Sequence, residues 1–353
     1  MMLDFTTLPT GVNIVLLLAG GSVVWASGTK LAHLADAISE RTGLSQVLAG
    51  ALLLGVSTSL PEIATTFTAC WIGNATLAVN NLFGSIVIQV ALLGVIDIWL
   101  VRNGPLTFFS PDPVLLMGGV LLILQIALAI VAIATGDIAV FAHVGFWPIL
   151  LAVVYLISLY LMNRYSYRSA WLPGHLPPQP VERETSAALT HDGAQQTAAR
   201  LSVVFAFNCA CVLVGGWLVS VTCDALSLQT GIGSGFLGAT LLALTTSLPE
   251  ISTTVGAIRL GAYTMAISNI FGTNSLDVAL LFPSDLTYRE GPVVNAIGDS
   301  VILMAGTGIV VTSLYLWGLL ERRNTTVLRM GLDSFWVLMA YFISTGILYF
   351  MTS

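Results

Sequence analysis

Charge is what this chain has least of. Asp, Glu, Lys and Arg make up 8% of its 353 residues, against roughly 25% in an ordinary soluble domain, and that shortage alone excludes a water-soluble globular fold. Positive charge is scarcer still. Twelve Lys and Arg stand against eighteen Asp and Glu, a net charge of −6, and no basic run or basic-aromatic patch exists to grip a phosphate backbone. Nucleic acid is not an expected partner. Cysteine and histidine number four each. Cys70, Cys209, Cys211 and Cys223 have no CxxC spacing and no histidines grouped near them, which argues against a zinc site and a disulfide framework. They read as small apolar fillers.

Apolar residues take the space instead, at 56%. Stretches bounded by Gly, Pro and charges fall near 11–37, 44–70, 75–101, 113–135, 138–163, 201–226, 233–258, 262–283, 293–320 and 330–351, each long enough for a bilayer crossing of about 20 residues. The fold class predicted is an all-α polytopic membrane protein of ten transmembrane helices, with any chemistry inside the bundle. The opening MMLDFTTLPTG lacks the positive region of a secretory signal and reads as the approach to the first membrane helix. One polar stretch, 164–200, divides the chain into a first five-helix repeat (1–163), a linker and a second repeat (201–353).

With ten helices, Lys30, Arg41, Arg102, Arg164, Arg168, Arg183, Arg200, Arg259, Arg322, Arg323 and Arg329 all fall on one side, and Arg289 alone on the other. Basic residues near helix ends are retained in the cytoplasm. Both termini are therefore expected outside, and the 164–200 loop in the cytoplasm of a bacterial-type inner membrane.

Internal comparison gives the strongest signal. GVSTSLPEIATT, residues 55–66, recurs as ALTTSLPEISTT, residues 243–254. The same offset of 188 carries NNLFGSIVIQVALL (80–93) onto SNIFGTNSLDVALL (268–281) without a gap. Five is odd, so the second half enters the membrane from the opposite side and the repeats are inverted, a recurrent transporter plan. Each TSLPE copy sets a proline inside an apolar helix. Pro61 and Pro249 are expected to break their helices and free carbonyls into a cavity; a plain kink is the competing reading, weakened by the match between copies and the glutamate that follows each proline.

Glu62 and Glu250 lie halfway through their segments, where an ionised carboxylate costs at least roughly 2.5 kcal/mol. No Lys or Arg lies at matching depth, so cations, protons or hydrogen-bond donors must serve them. Asp277 is a third acid at mid-helix, and its repeat counterpart is Gln89. Thr58 and Ser59, Thr246 and Ser247, Ser85 and Thr273 precede these groups by three or four residues, which puts the hydroxyls on the same helix faces. The set is all oxygen and suits hard cations such as Ca²⁺ or Na⁺. Three carboxylates roughly balance one Ca²⁺ or three Na⁺.

At these residues the sequence resembles the cation/calcium exchanger superfamily, in particular its sodium/calcium exchanger-like membrane proteins. The two TSLPE segments, with Gly84 to Gln89 and Gly272 to Asp277, are similar to that family's two alpha repeats. The resemblance implies ten helices in inverted repeats and alternating occupancy of one central site by Na⁺ and Ca²⁺. It implies ion ligands at Thr58, Ser59, Glu62, Ser85 and Gln89, and at Ala243 through its carbonyl, Thr246, Ser247, Glu250, Thr273 and Asp277. Where the family usually reads G-S-N-x-x-N in the first repeat, this chain has Ile86 and Gln89. The acid of the proton/calcium branch's G-N-x-x-E pattern is absent.

The expected function is thus secondary active Ca²⁺/Na⁺ antiport, with H⁺-coupled cation exchange as the alternative and K⁺ as a further candidate ion. An intramembrane hydrolase would need a His or Lys beside the serines near Glu62 and Glu250, and none lies at that depth. A passive channel would show single-channel currents far above carrier turnover. The lipid bilayer is the expected surrounding; no resident cofactor and no obligate protein partner are implied. Asp36 with Asp224, and Asp97 with Asp285, match across the repeat near helix ends and read as capping or solvent-facing groups. Asn208, Asn295 and Asp299 read as packing or supporting groups, and Lys30 and His33 as snorkelling side chains. The 164–200 linker is too short and too poor in acids for a calcium-sensing domain.

Overall fold

The computed structural model describes residues 4–42, 58–101, 104–110, 112–166, 198–259, 261 and 263–352. Within them the chain forms α1 (Thr10–Thr42), α2 (Leu60–Trp71), α3 (Ala75–Trp99), α4 (Pro113–Thr135), α5 (Phe146–Ser166), α6 (Ala198–Thr230), α7 in two arms (Ser234–Thr246 and Leu248–Arg259), α8 (Tyr263–Thr287), α9 (Asp299–Glu321) and α10 (Leu332–Thr352). Eight of these are long and apolar enough to cross a membrane, and α7 makes a ninth whose arms meet at 48°. The expected 44–70 segment lies partly outside the described residues, as does most of the 164–200 linker. The protein is a mostly helical polytopic membrane protein.

Local chemistry sets the helix ends. Asp112 caps α4, its side chain accepting from the Val114 N–H at 2.9 Å, with Pro113 at the first turn. Asn74 caps α3 through the Leu77 N–H at 2.9 Å. Two starts differ from the sequence expectation. α5 begins at Phe146, not near 138, because Ala139–Phe141 (β1) and Val144–Gly145 (β2) pair as a small antiparallel ribbon turning at Ala142, φ 52°. A second ribbon, Thr326–Val327 (β3) with Met330–Gly331 (β4), precedes α10, and its turn holds Leu328 and Arg329 at positive φ. α9 begins at Asp299, not near 293, and Asn295 sits in a short 3₁₀ turn, bonded to Asp137.

Burial sorts the helices. α3 is packed on all sides and 78% buried across its most apolar window, whereas α5 and α10 are each 17% buried and turn Leu, Ile and aromatic side chains outward, as a lipid-facing shell requires. α1 and α6, 33 residues each, pack along one another where Gly20 meets Gly215 and Val219. Small residues let membrane helices approach closely. Asp97 and Asp285 do not face solvent: they are 1% and 0% exposed. Asp224 accepts from the Asn74 side chain at 2.6 Å, and Asn208 bonds back to the Val204 carbonyl at 2.7 Å. The side chains of His33 and Asp36 lie outside the described residues.

Candidate ion-binding site

The prolines act as the sequence suggests. Ser247, between the arms of α7, has φ −80° and ψ 3°; Ser59, directly before α2, has φ −81° and ψ 3°. Two segments 188 residues apart thus turn by the same backbone geometry. Each proline falls in the first turn of the helix that follows, where its missing N–H costs nothing. Glu62 and Glu250 fall in the same first turns, at the positive end of a helix dipole. Ahead of the second break, Gly238–Leu242 forms one π turn, a widening common at functional sites.

Each break is covered by the long helix of the other repeat. A methyl group on Gly28 of α1 would run into the Pro249 ring. One on Gly216 of α6, the residue 188 positions on, would lie 2.7 Å from the Ala64 Cβ and 3.6 Å from the Pro61 carbonyl. Only glycine allows these approaches.

All eleven residues singled out from the sequence are buried in the bundle. Thr58, Ser59, Glu62, Ser85, Gln89, Ala243, Thr246, Ser247, Glu250, Thr273 and Asp277 are each at most 2% exposed. A hydrogen-bonded chain joins four helices. Thr273 on α8 donates to Gln89 Oε1 at 3.0 Å, Gln89 Nε2 on α3 donates to Ser247 Oγ at 3.2 Å, and Ser247 donates to Glu62 Oε1 at a long 3.5 Å. Thr246 donates to the Ala243 carbonyl at 3.1 Å. Thr58 faces Glu250 and Thr246 faces Glu62, as a pseudo-twofold axis requires.

The three carboxylates interact electrostatically, Glu62 with both others and Glu250 with Asp277. Among the described residues, Glu62 Oε2 and both Asp277 oxygens have no close hydrogen-bond donor, and Thr58 faces the Glu250 carboxylate. No Lys, Arg or His is buried among the described residues. The acids are neighbours, not a closed cage: among the described residues no three Asp, Glu, His or Cys side chains form a metal-holding group by themselves. Gln89 and the hydroxyls separate them. Buried acceptors with neither donors nor countercharge are costly, and hard cations with oxygen shells are the chemistry that removes the cost.

Sequence reasoning missed a supporting layer. Asn81 donates to the Thr65 and Thr66 hydroxyls at 3.2 Å and accepts from Thr246 at 3.4 Å; Asn269, its repeat counterpart, donates to Thr253 at 3.3 Å. The repeat itself carried that signal, in the matched Asn of NNLFG and SNIFG. Gln125 donates to Ser158 at 3.2 Å and Ser275 at 2.8 Å, tying α4, α5 and α8, and Tyr155 lies within electrostatic range of Asp277. These occur once, so no repeat could reveal them.

Residues 12–164 and 201–350 match the family described as Sodium/calcium exchanger protein. Among curated proteins, the chain is 26% identical to Inner membrane protein YrbG of Escherichia coli (strain K12), over 93% of this chain and 97% of that protein. It is 25% identical to Putative antiporter CaxA of Alkalimonas amylolytica, over 86% and 89%. Among solved structures, the sodium-calcium exchanger NCX_Mj superposes with a TM-score of 0.61 at 17% identity, covering 96% of this chain and 99% of that one. The H⁺/Ca²⁺ exchanger CAX superposes with a TM-score of 0.70 at 13% identity, covering 96% and 86%. At such identities the superpositions establish the shared fold.

Proposed function

The chain belongs to the sodium/calcium exchanger family, and from that premise we propose that it moves Ca²⁺ in exchange for Na⁺ by alternating access around Glu62, Gln89, Glu250 and Asp277. Membership makes it a cation/Ca²⁺ exchanger and not an enzyme. One observation carries it: among the described residues, three buried carboxylates have hydroxyl groups but no buried base beside them. Such a pocket is costly when empty, so a change of access is coupled to occupancy, which is what separates an exchanger from a leak. The remaining ligands in this reading are Thr58, Ser59, Ser85, Thr246, Ser247, Thr273 and the Ala243 carbonyl.

Na⁺ is favoured as the counter-ion because the position equivalent to Asp277 is Gln89, an amide that cannot carry a proton through the cycle. Proton coupling is the second reading, since the same buried carboxylates can each accept a proton. Eleven of the twelve basic residues on one side support outside termini and a cytoplasmic 164–200 segment. The Escherichia coli relative, an inner membrane protein by name, supports an inner membrane.

Purified protein in vesicles tests the reading, with Na⁺ and pH gradients imposed separately. Ca²⁺ uptake is expected to follow the Na⁺ gradient and to vanish in Glu62→Gln and Glu250→Gln. Uptake that follows only the pH gradient moves the assignment to protons, and uptake that survives both substitutions removes the site.

A further inference from the structure

Two buried acids outside the site occupy reciprocal places. Asp97 lies eight residues beyond Gln89 on α3, and Asp285 lies eight residues beyond Asp277 on α8. Asp97 Oδ1 accepts from the Leu106 N–H at 2.7 Å, and its Oδ2 accepts from the Gly331 N–H at 2.7 Å and the Ser334 hydroxyl at 3.0 Å. Asp285 Oδ1 accepts from the Val293 N–H at 2.6 Å, and its Oδ2 from the Gly145 N–H at 2.6 Å. Gly331 directly precedes α10, and Gly145 directly precedes α5.

Each carboxylate therefore binds the chain leaving its own helix and the threshold of the last helix of the opposite repeat. α3 carries Gln89 and is tied to α10; α8 carries Asp277 and is tied to α5. Since α4 alone crosses the bundle between the end of α3 and the start of α5, the two ties sit at opposite membrane faces. Ionised acceptors of backbone N–H groups make roughly twice the bond of neutral ones, and a fully satisfied buried network holds a single geometry. Neither ribbon glycine has room for a side chain: a methyl on Gly331 would lie 3.0 Å from the Pro105 Cβ, and one on Gly145 would collide with Asp137.

We propose that Asp97 and Asp285 are a reciprocal pair of positioning residues for exchange, each fixing the depth of one site helix against the opposite repeat. On α3 the eight residues are about 12 Å of continuous helix, and on α8 the same stretch is interrupted only at Leu280, where Pro283 withholds its N–H, so a loosened tie is passed to Gln89 or Asp277 as a shift in position. A binding constellation degrades when its members stray by about 0.5 Å. The proposal rests on the reading of Gln89 and Asp277 as ion ligands.

The test is Ca²⁺ uptake into vesicles across a range of Ca²⁺, for wild type, Asp97→Asn, Asp285→Asn and Ser334→Ala, normalised to folded protein. An asparagine keeps the shape but turns its NH₂ on one of the N–H donors. The half-saturating Ca²⁺ concentration is expected to rise roughly five- to tenfold in each aspartate variant, a part of what one lost charged hydrogen bond is worth because only some of the loosening reaches the site, with turnover per folded transporter kept within about twofold. Ser334→Ala, which removes one donor and leaves the backbone ties, is expected to shift it by a smaller factor and serves if an aspartate variant fails to fold. An unchanged half-saturation in Ser334→Ala and in every aspartate variant that folds overturns the positioning role, whatever the turnover. Wild-type protein that takes up no Ca²⁺ under either a Na⁺ or a pH gradient overturns the exchange reading as well; wild-type uptake beside unshifted variants overturns the ties alone.

Discussion

The two halves of the site share a backbone and differ in charge. Ser59 and Ser247 turn the chain with torsions that agree to a degree in φ and are equal in ψ, and Gly28 and Gly216 press on the same two breaks from opposite repeats. At the centre the agreement stops. Both polar atoms of Gln89 are partnered, by Thr273 and Ser247, whereas among the described residues neither oxygen of its counterpart Asp277 has a close hydrogen-bond donor. About one turn earlier on the same helices, Ile86 stands where the second repeat has Asn274. The symmetric features shape the pocket and the asymmetric ones set its charge. An odd number of carboxylates cannot come from two identical repeats, so the departure at Gln89 is what produces three.

The largest expected effect follows from removing that third acid. Asp277→Asn leaves two amides facing each other across the axis and two carboxylates to balance the cation. Ca²⁺ uptake is expected to fall at least about 100-fold, since losing a charged ligand in a dry site costs roughly 3 kcal/mol or more. Uptake within about tenfold of wild type would show that the charge difference between the halves does not set ion binding. The converse change, Gln89→Asp, restores symmetry by adding a fourth acid and strips the amide N–H from Ser247. In cation-free buffer its Tm is expected to drop, by roughly 2–4 °C for each kcal/mol of added repulsion. Ca²⁺ is then expected to raise the Tm more than it raises that of wild type, because a ligand stabilises most where it binds the folded state best. Thermal scans with and without Ca²⁺ check both, and an equal Ca²⁺ shift in the two proteins would mean that position 89 does not face the ion.

Much of this was legible before any coordinates. The offset of 188 located both breaks, and the scarcity of charge made every mid-helix acid conspicuous: Glu62, Glu250 and Asp277 come to one pocket because a membrane leaves an acid nowhere else to go. The ribbons before α5 and α10 were not legible. β1 to β4 are two or three residues long, too short for a period of two to declare itself, and Ala142, Leu328 and Arg329 adopt positive φ without the usual Gly or Asn. Those ribbons also hid the partners of Asp97 and Asp285. Their position near helix ends suggested capping or water, but the N–H groups they accept belong to chain 140 and 234 residues away for Gly145 and Gly331, a pairing that only the packing of one repeat against the other creates. Gln125 was hidden for a related reason: an amide in an apolar run reads the same whether it faces Ser275 or simply fills space.

The smallest effects lie at Ile86 and Asn274, and they sharpen the comparison because they need not be equal. Ile86 is fully buried, and its carbonyl accepts from Asn274 Nδ2 at 3.5 Å, the outer edge of a hydrogen bond. Ile86→Asn would copy the second repeat into the first, yet it would set an amide among apolar neighbours on a face where Gly308 and Ile126 already pack closely, and unsatisfied polar groups cost about 1–3 kcal/mol there. Asn274→Leu gives up only the long bond and relieves an Oδ1 that has no close partner; it is expected to change stability by less than about 1 kcal/mol. Denaturation of the two variants under one set of conditions measures the difference. If Asn274→Leu proves the more damaging, the amide holds something that its weak bond to Ile86 does not express, and position 274 then belongs with Asp277 in the charged half of the site instead of with the packing around it.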